Sequence, residues 1–202
     1  MKFVAVADDE QWNALTESSA GIQWIRAAEN FSFQQHTGAD AFFIMQPNTS
    51  LNYSETTVPV FINSVIDTLA ALNTPPQVLR INGWPGFLQR PVWEVAGNVD
   101  DNIKKIAEQL DKKIIIVKDE PGLVAAKIIA MIINEAYFAL GDEVSTKEEI
   151  DIAMKLGTNY PYGPFEWAGK IGSKNIFALL QKLTLQDKRY QPAPALVNAI
   201  QN

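Results

Sequence analysis

One histidine and no cysteine set the chemistry open to this chain. Without thiols there is no disulfide framework, no thiolate nucleophile and no Cys-type zinc site, and a single imidazole excludes metal centres that need two. His36 stands in the polar run QQHTG with no acid in its loop, which reads as a solvent-exposed side chain. Asp8-Asp9-Glu10 places three carboxylates directly after the apolar run KFVAVA. Oxygen acceptors and negative charge at that place suit the N-cap and first turn of a helix, and they would repel a phosphate. The 11 glycines occupy positions 21, 38, 83, 86, 97, 122, 141, 157, 163, 169 and 172. No two are separated by a single residue, so the G-x-G-x-x-G turn that brings a backbone against a pyrophosphate is absent.

The 17 basic and 23 acidic side chains give a net charge of −6 and no basic patch, which excludes a phosphate-neutralising nucleic-acid surface. The opening MKFVAVADDE has too few apolar residues for a signal peptide or an anchor, and no later run reaches the roughly 18 needed to span a bilayer. The expectation is a soluble, cytoplasmic protein with no membrane partner.

The elements that must position any site change character near residue 119. Before it, seven runs read as strands: Lys2–Ala7, Ile22–Ala28, Ala41–Gln46, Pro59–Val65, Gln77–Gly83, Pro91–Gly97 and Lys113–Asp119. Continuous apolar runs such as KIIIV predict strands buried on both faces, as in parallel α/β sheets. Between the last two lies NVDDNIKKIAEQLDK, with apolar residues at 103, 106, 107 and 110, an amphipathic crossover helix. After 119 the pattern is helical. Pro121 opens a long apolar helix that runs to Leu140 and stops at Gly141. Ser145 and Glu148 form a capping box for a helix ending at Gly157. Gly163–Pro164 starts a third helix, Gly172–Ser173 separates a fourth, and Ala195–Gln201 forms the last.

The run DEPGLVAAKIIAMIINEAYFALGDEVSTKEEIDIAMKLGTNYPYGPFEWAGKIG resembles the start of the helical domain of 3-hydroxyacyl-CoA dehydrogenases. The family's D-x-P-G-F-x-x-N-R, N-E-A, E-D-I-D-x-A-M-x-x-G and Y-P-x-G-P-F-E are similar to Asp119–Lys127, Asn134–Ala136, Glu149–Gly157 and Tyr160–Glu166. Further back, Gly38–Asn48 resembles the A-D-x-V-I-E-A strand, with its acidic position replaced. Val60–Val65 resembles the strand leading to an S-N-T-S turn. Ile81–Asn98 resembles G-x-H-F-F-N-P-x-x-x-x-P-L-V-E-V. The first 35 residues match only as a strand with unrelated sequence after it. The resemblance implies an α/β plus all-α architecture: a shortened, truncated Rossmann-like nucleotide domain over 1–118, followed by the helical C-terminal domain of 3-hydroxyacyl-CoA dehydrogenases over 119–202.

What the resemblance implies for a site is specific. The family moves a hydride between NAD and C3 of a 3-hydroxyacyl-CoA, with a His as base and a Glu twelve residues later to orient it. Those positions fall on Asn82 and Glu94, and Ser64 is the counterpart of the family serine. Ser50, in NTSL at Asn48–Leu51, copies the same letters but sits too early. The family's Asn and Arg after P-G-F fall on Ala126 and Lys127. An amide cannot accept a proton near neutral pH, so Asn82 cannot be the base. Trp84, Trp93 and Trp167 read as core aromatics, with an acyl or pantetheine groove as the other reading. The expectation is a family member of acyl-CoA metabolism, catalytically impaired, with no NAD bound in the usual mode. An enzyme with displaced residues and a structural partner of an intact paralogue are the other readings. Acyl-CoA is the possible ligand. The two apolar stripes of the long helix, including Ile128, Ile129, Ile132 and Ile133, imply a homodimer through 119–202.

Overall fold

The computed structural model describes residues 1–17, 21–46 and 51–201, and Ser50 lies outside them. The chain divides into two compact units, Met1–Leu123 and Val124–Asn202. Among the described residues no helix is long and apolar enough to cross a membrane.

All seven strand runs form strands, each shorter than its apolar run: β1 (Lys2–Val6), β2 (Gln23–Arg26), β3 (Ala41–Ile44), β4 (Val60–Asn63), β5 (Val78–Ile81), β6 (Val92–Ala96) and β7 (Lys113–Ile116). They make one sheet in the order β2-β1-β3-β4-β5-β6-β7, parallel except for the antiparallel β5–β6 pair. The order reverses at β1, which has β2 on one side and β3 on the other. Side chains alternate across the sheet, so Phe3 and Ala5 enter one core while Val4 and Val6 enter the other. The first core is covered by α1 (Asp9–Thr16) through Ala14 and Leu15, and by α3 (Asp101–Gln109) through Ile103 and Ile106, with Leu110 just beyond it. The second packs against Phe31, Phe33 and Leu69 of the short α2 (Leu69–Leu72). β6, α3 and β7 form the expected parallel crossover.

β7 corrects one expectation. It is not buried on both faces: Ile115 is 49% and Ile116 61% exposed. A run of β-branched residues records a preference for extended backbone, and KIIIV carries that preference on the edge of the sheet, where Ile114 packs on the first core and Ile115 and Ile116 stay exposed.

Arg80 lies in the middle of β5 and is fully buried. Its Nε donates to Ser64 O at 2.6 Å, Nη2 to Val65 O at 3.1 Å and Nη1 to Glu120 O at 3.3 Å, and Nη1 also pairs with Asp119. Asp119 in turn accepts from the Leu69 and Ala70 amides of α2, at 3.1 and 3.2 Å. Burial pushes the Asp119 carboxyl up, but the bonds from Arg80 and the two amides outweigh it and hold it below the usual carboxylate range. Burial also lowers the Arg80 guanidinium, opposed by Asp119.

In the second unit, α4 (Ala125–Gly141) starts four residues after Pro121. Gly122 and Leu123, at φ +82° and +49°, make a left-handed turn that no helix can include. Asp119 holds the loop before that turn in the first unit. α5 (Lys147–Thr158) is capped by Thr146 and Glu149, one residue later than the expected Ser145–Glu148 pair. Ser145 instead donates its hydroxyl to Glu149 at 2.6 Å. The helix passes Gly157 and ends against left-handed Asn159. α6 (Pro164–Ile171), α7 (Ser173–Thr184) and α8 (Pro194–Gln201) complete the unit.

The motif residues of this unit hold loops to helices. Asn134, buried in α4, donates to Gln191 O at 2.9 Å and accepts from Ala193 N at 2.8 Å, fixing the approach to α8. Asp151, the buried residue of α5, accepts from the Phe165 and Glu166 amides and so caps α6. A Cβ on Gly163 would stand 2.3 Å from the Asp151 carboxyl, which makes glycine obligatory there.

Asp119→Asn leaves the buried Arg80 charge without its counter-charge, and chemical denaturation is expected to show a loss of about 3 kcal/mol. Because the Asp119 pKa is depressed on folding, its contribution is present above about pH 4 and is lost as pH falls through the folded value. Wild type should therefore lose more stability than the variant between pH 5 and 2, both taken as order-of-magnitude limits.

Candidate functional site

The sheet ladders bring three of the expected residues to one end. Asn63 of β4 pairs with Ile81 of β5, and Ile81 pairs with Val95 of β6. Ser64 and Asn82 follow those paired residues directly, and Glu94 precedes Val95 on the antiparallel strand. The twelve-residue spacing of Asn82 and Glu94 is thus the spacing of two strands meeting across a turn, which sets them in register.

Asn82 is buried, and its Oδ1 accepts from Trp84 N at 3.1 Å. Among the described residues, its Nδ2 is the buried side-chain polar atom left without a hydrogen-bond partner. The position therefore presents an amide donor and no basic nitrogen. Ser64 is half-buried, and its hydroxyl donates to Asp67 O at 2.8 Å. It is not a helix cap, because Thr68 caps α2. Glu94 is half-buried on β6. Ala126 is fully buried and offers no side-chain donor or acceptor.

The neighbouring strand ends are tied together by amides. Asn63 Nδ2 donates to Met45 O at 3.1 Å, and its Oδ1 accepts from Gly83 N at 3.0 Å. Gln11 Nε2 reaches Met45 O and Gly83 O, both at 3.3 Å. Gln46 Nε2 donates to Asp8 Oδ2 at 3.0 Å and to Gln11 Oε1 at 2.6 Å. Asp8 caps α1 through a capping box with Gln11, as the acidic run suggested. Sequence reading missed Gln11, Gln46, Asn63 as a bridge, and Arg80. The available signal for Arg80 was one charge inside an apolar strand; the glutamines carry no local signal.

Trp84, Trp93 and Trp167 are buried, as core aromatics are, and Trp93 Nε1 donates to Leu88 O at 3.0 Å. His36 is partly exposed, 5.9 Å from the Phe31 ring. Among the described residues no group of three or more His, Asp or Glu could hold a metal ion.

Residues 122–202 match the family model for the 3-hydroxyacyl-CoA dehydrogenase C-terminal domain. The 3-hydroxyadipyl-CoA dehydrogenase of Escherichia coli K12 is 41% identical over 91 residues, 44% of this chain and 19% of that protein. A probable 3-hydroxybutyryl-CoA dehydrogenase of Bacillus subtilis is 28% identical over 177 residues, 84% of this chain and 60% of that one. The chain thus spans less than two thirds of these curated relatives. The crystal structure of (S)-3-hydroxybutyryl-CoA dehydrogenase PaaH1 from Ralstonia eutropha shares the fold, with a TM-score of 0.74 at 20% identity, over 98% of this chain and 92% of that one. Fold and C-terminal domain together define a Rossmann-like unit joined to a helical dehydrogenase unit. Residues 122–202 are thus similar to the C-terminal domain of 3-hydroxyacyl-CoA dehydrogenases, and the fold of the chain is that of a solved dehydrogenase.

A Cβ at Gly83 would fall 2.6 Å from Asn63 Cγ. Gly83→Ala must therefore displace Asn63 and its bonds to Met45 and Gly83, and a loss of about 2 kcal/mol is expected in urea unfolding, with no change in helix content by circular dichroism.

Proposed function

We propose that this chain is a member of the family that has lost hydride transfer, a pseudoenzyme of fatty acid and acyl-CoA metabolism. The observation that carries this reading is Asn82, held opposite Glu94 by the β5–β6 register where the family reaction requires a base. An amide there cannot take the hydroxyl proton, and losing a positioned base costs on the order of 10²–10⁴ in rate. The absence of a glycine-rich turn after β1 and the carboxylate at Asp8 support a second part of the reading: NAD is not a cofactor of this chain in the usual mode. Ser64 and Glu94 keep the family's positions without a base between them. The ligand class that remains is an acyl-CoA, whose thioester carbonyl would suit the unpartnered Asn82 amide.

The same reading includes a homodimer through residues 119–202. Its support is exposed apolar surface on the second unit. Ile128 is 53% exposed and Ile132 half-buried on the second stripe of α4, while Ile152 and Leu156, one turn apart on α5, are 53% and 83% exposed. Monomers rarely keep such surface open to water, and a two-fold axis would bury it against its own copy.

Purified protein is expected to oxidise NADH with acetoacetyl-CoA no faster than the uncatalysed background. Asn82→His should not restore turnover, since one base does not rebuild a cofactor site. Clear turnover by wild type would sink the reading. Light scattering should give a mass near 45 kDa, about twice the 22.4 kDa of one chain. Leu156→Glu, a change on an exposed side chain, should bring it toward the single-chain mass with the circular dichroism spectrum retained. A wild-type monomer at micromolar concentration would refute the dimer.

A further inference from the structure

In an open α/β sheet a dinucleotide lies outside the carboxyl ends of the strands, where the strand order reverses. In this chain that point is between β1 and β3, and three features of a dinucleotide site can be checked there residue by residue. The first is the turn after β1, which must be small. Here Asp8 stands at that turn, and its carboxylate accepts from Gln11 N at 2.8 Å, taking a helix N-terminal donor that would otherwise face phosphate. The second is open space for the pyrophosphate. Gln46 crosses from the end of β3 to Asp8 and Gln11, and Gln11 continues to Met45 O and Gly83 O. A cavity beside this bridge, lined by Asp8, Gln11, Gly83 and Trp84 among others, measures about 60 Å³. That holds about two waters, against the several hundred Å³ of an ordinary small-molecule site. The third is the acid at the end of the second strand that binds the ribose. β2 ends instead in Arg26, whose Nη2 donates to Ala7 O at 2.9 Å and whose Nη1 pairs with Asp9 at 2.7 Å. A basic residue there could favour a 2′-phosphate, but this guanidinium already lies against the β1 carbonyl and the α1 carboxylate. The chain's own residues do not fit a dinucleotide.

We infer that Asp8, Gln11 and Gln46 form a polar lock that occupies the nucleotide crevice and takes the place of the cofactor in joining β1 to β3. The lock rests on the reading that NAD is not bound and names the residues responsible for it. Every member except the carboxylate is uncharged, so the lock satisfies the strand-end carbonyls and the α1 N-terminus without a counter-ion. The unit's folding is therefore complete in the absence of nucleotide, and no nucleotide enters without breaking at least the two Gln46 bonds.

The test is a thermal-unfolding cycle on the full chain. Gln46→Glu replaces the donor facing Asp8 with a second carboxylate and should lower Tm by about 5 °C. Asp8→Asn combined with Gln46→Glu exchanges donor and acceptor, keeps a good N-cap, and should recover more than half of that loss. Gln46→Ala, which removes the bridge without adding charge, should fall by about 3 °C and serves if the charged variant does not fold. Neither NADH nor NADPH at 1 mM, an excess over any specific site of order micromolar affinity, should raise the wild-type Tm. A Gln46→Glu protein as stable as wild type, a double variant no better than the sum of its parts, or a Tm rise of 2 °C or more with either nucleotide overturns the lock. Absence of coupling between positions 8 and 46 would defeat the lock alone and leave the reading based on Asn82 intact, whereas turnover with acetoacetyl-CoA would defeat that reading first.

Discussion

A guanidinium buried in the middle of a strand is the constraint around which the first unit is arranged. Arg80 cannot leave its charge, and water cannot reach it, so every donor must find an acceptor inside the protein. Its partners come from the end of β4, from the loop that carries Asp119 and Glu120, and, through Asp119, from the first turn of α2. Three segments distant in sequence are thereby fixed at one end of the sheet. That is the same end at which Ser64 and Asn82 emerge, so the scaffold of the site and the most constrained charge of the fold are one assembly. The aspartate of the D-x-P-G motif acquires a physical role here: it neutralises Arg80 and caps α2, and the glycine after it makes the left-handed turn that releases the chain into α4.

The strand ends owe their arrangement to the strands behind them. The β5–β6 register still sets position 82 against Glu94, because register is enforced by the buried faces of the strands and not by the site residue itself. Asn82 itself presents a buried amide donor without a partner and no basic nitrogen. At the switch point of the sheet, Gln46 donates to the Asp8 carboxylate, and at the neighbouring strand end Asn63 donates to the Met45 carbonyl. Amides suit that task because each carries both donors and acceptors and brings no charge into a crevice that already holds Asp8.

Much of the architecture was legible in the sequence. Seven strand runs, the crossover helix, the acidic cap of α1 and the helical character of the second unit all follow from periodicity and capping chemistry, which act over a few residues. The misreadings have physical causes of the same scale. Pro121 is a good first residue for a helix, yet Gly122 and Leu123 adopt left-handed conformations and delay α4 to Ala125. Ser145 and Thr146 are both competent caps, and the choice of Thr146 places Asp151 toward α6, where its carboxylate takes the Phe165 and Glu166 amides. The strand ends that carry Asn82, Glu94 and Ser64 were legible because the strands beside them have recognisable apolar runs. Arg80, Gln11 and Gln46 were not.

The sequence by itself determined the kind and order of the elements, the absence of thiol and paired-imidazole chemistry, the missing glycine turn, and an amide at position 82. These are properties of composition, local period and spacing, and they hold whatever the chain packs against. Only the tertiary structure decided that KIIIV lies on an edge, that Arg80 is buried against Asp119, and that Gln11 and Gln46 meet Asp8 and the strand ends. Those last bonds join residues 35, 38 and 72 positions apart. Whether such side chains meet depends on strand order and register across the whole sheet, and a local pattern contains neither.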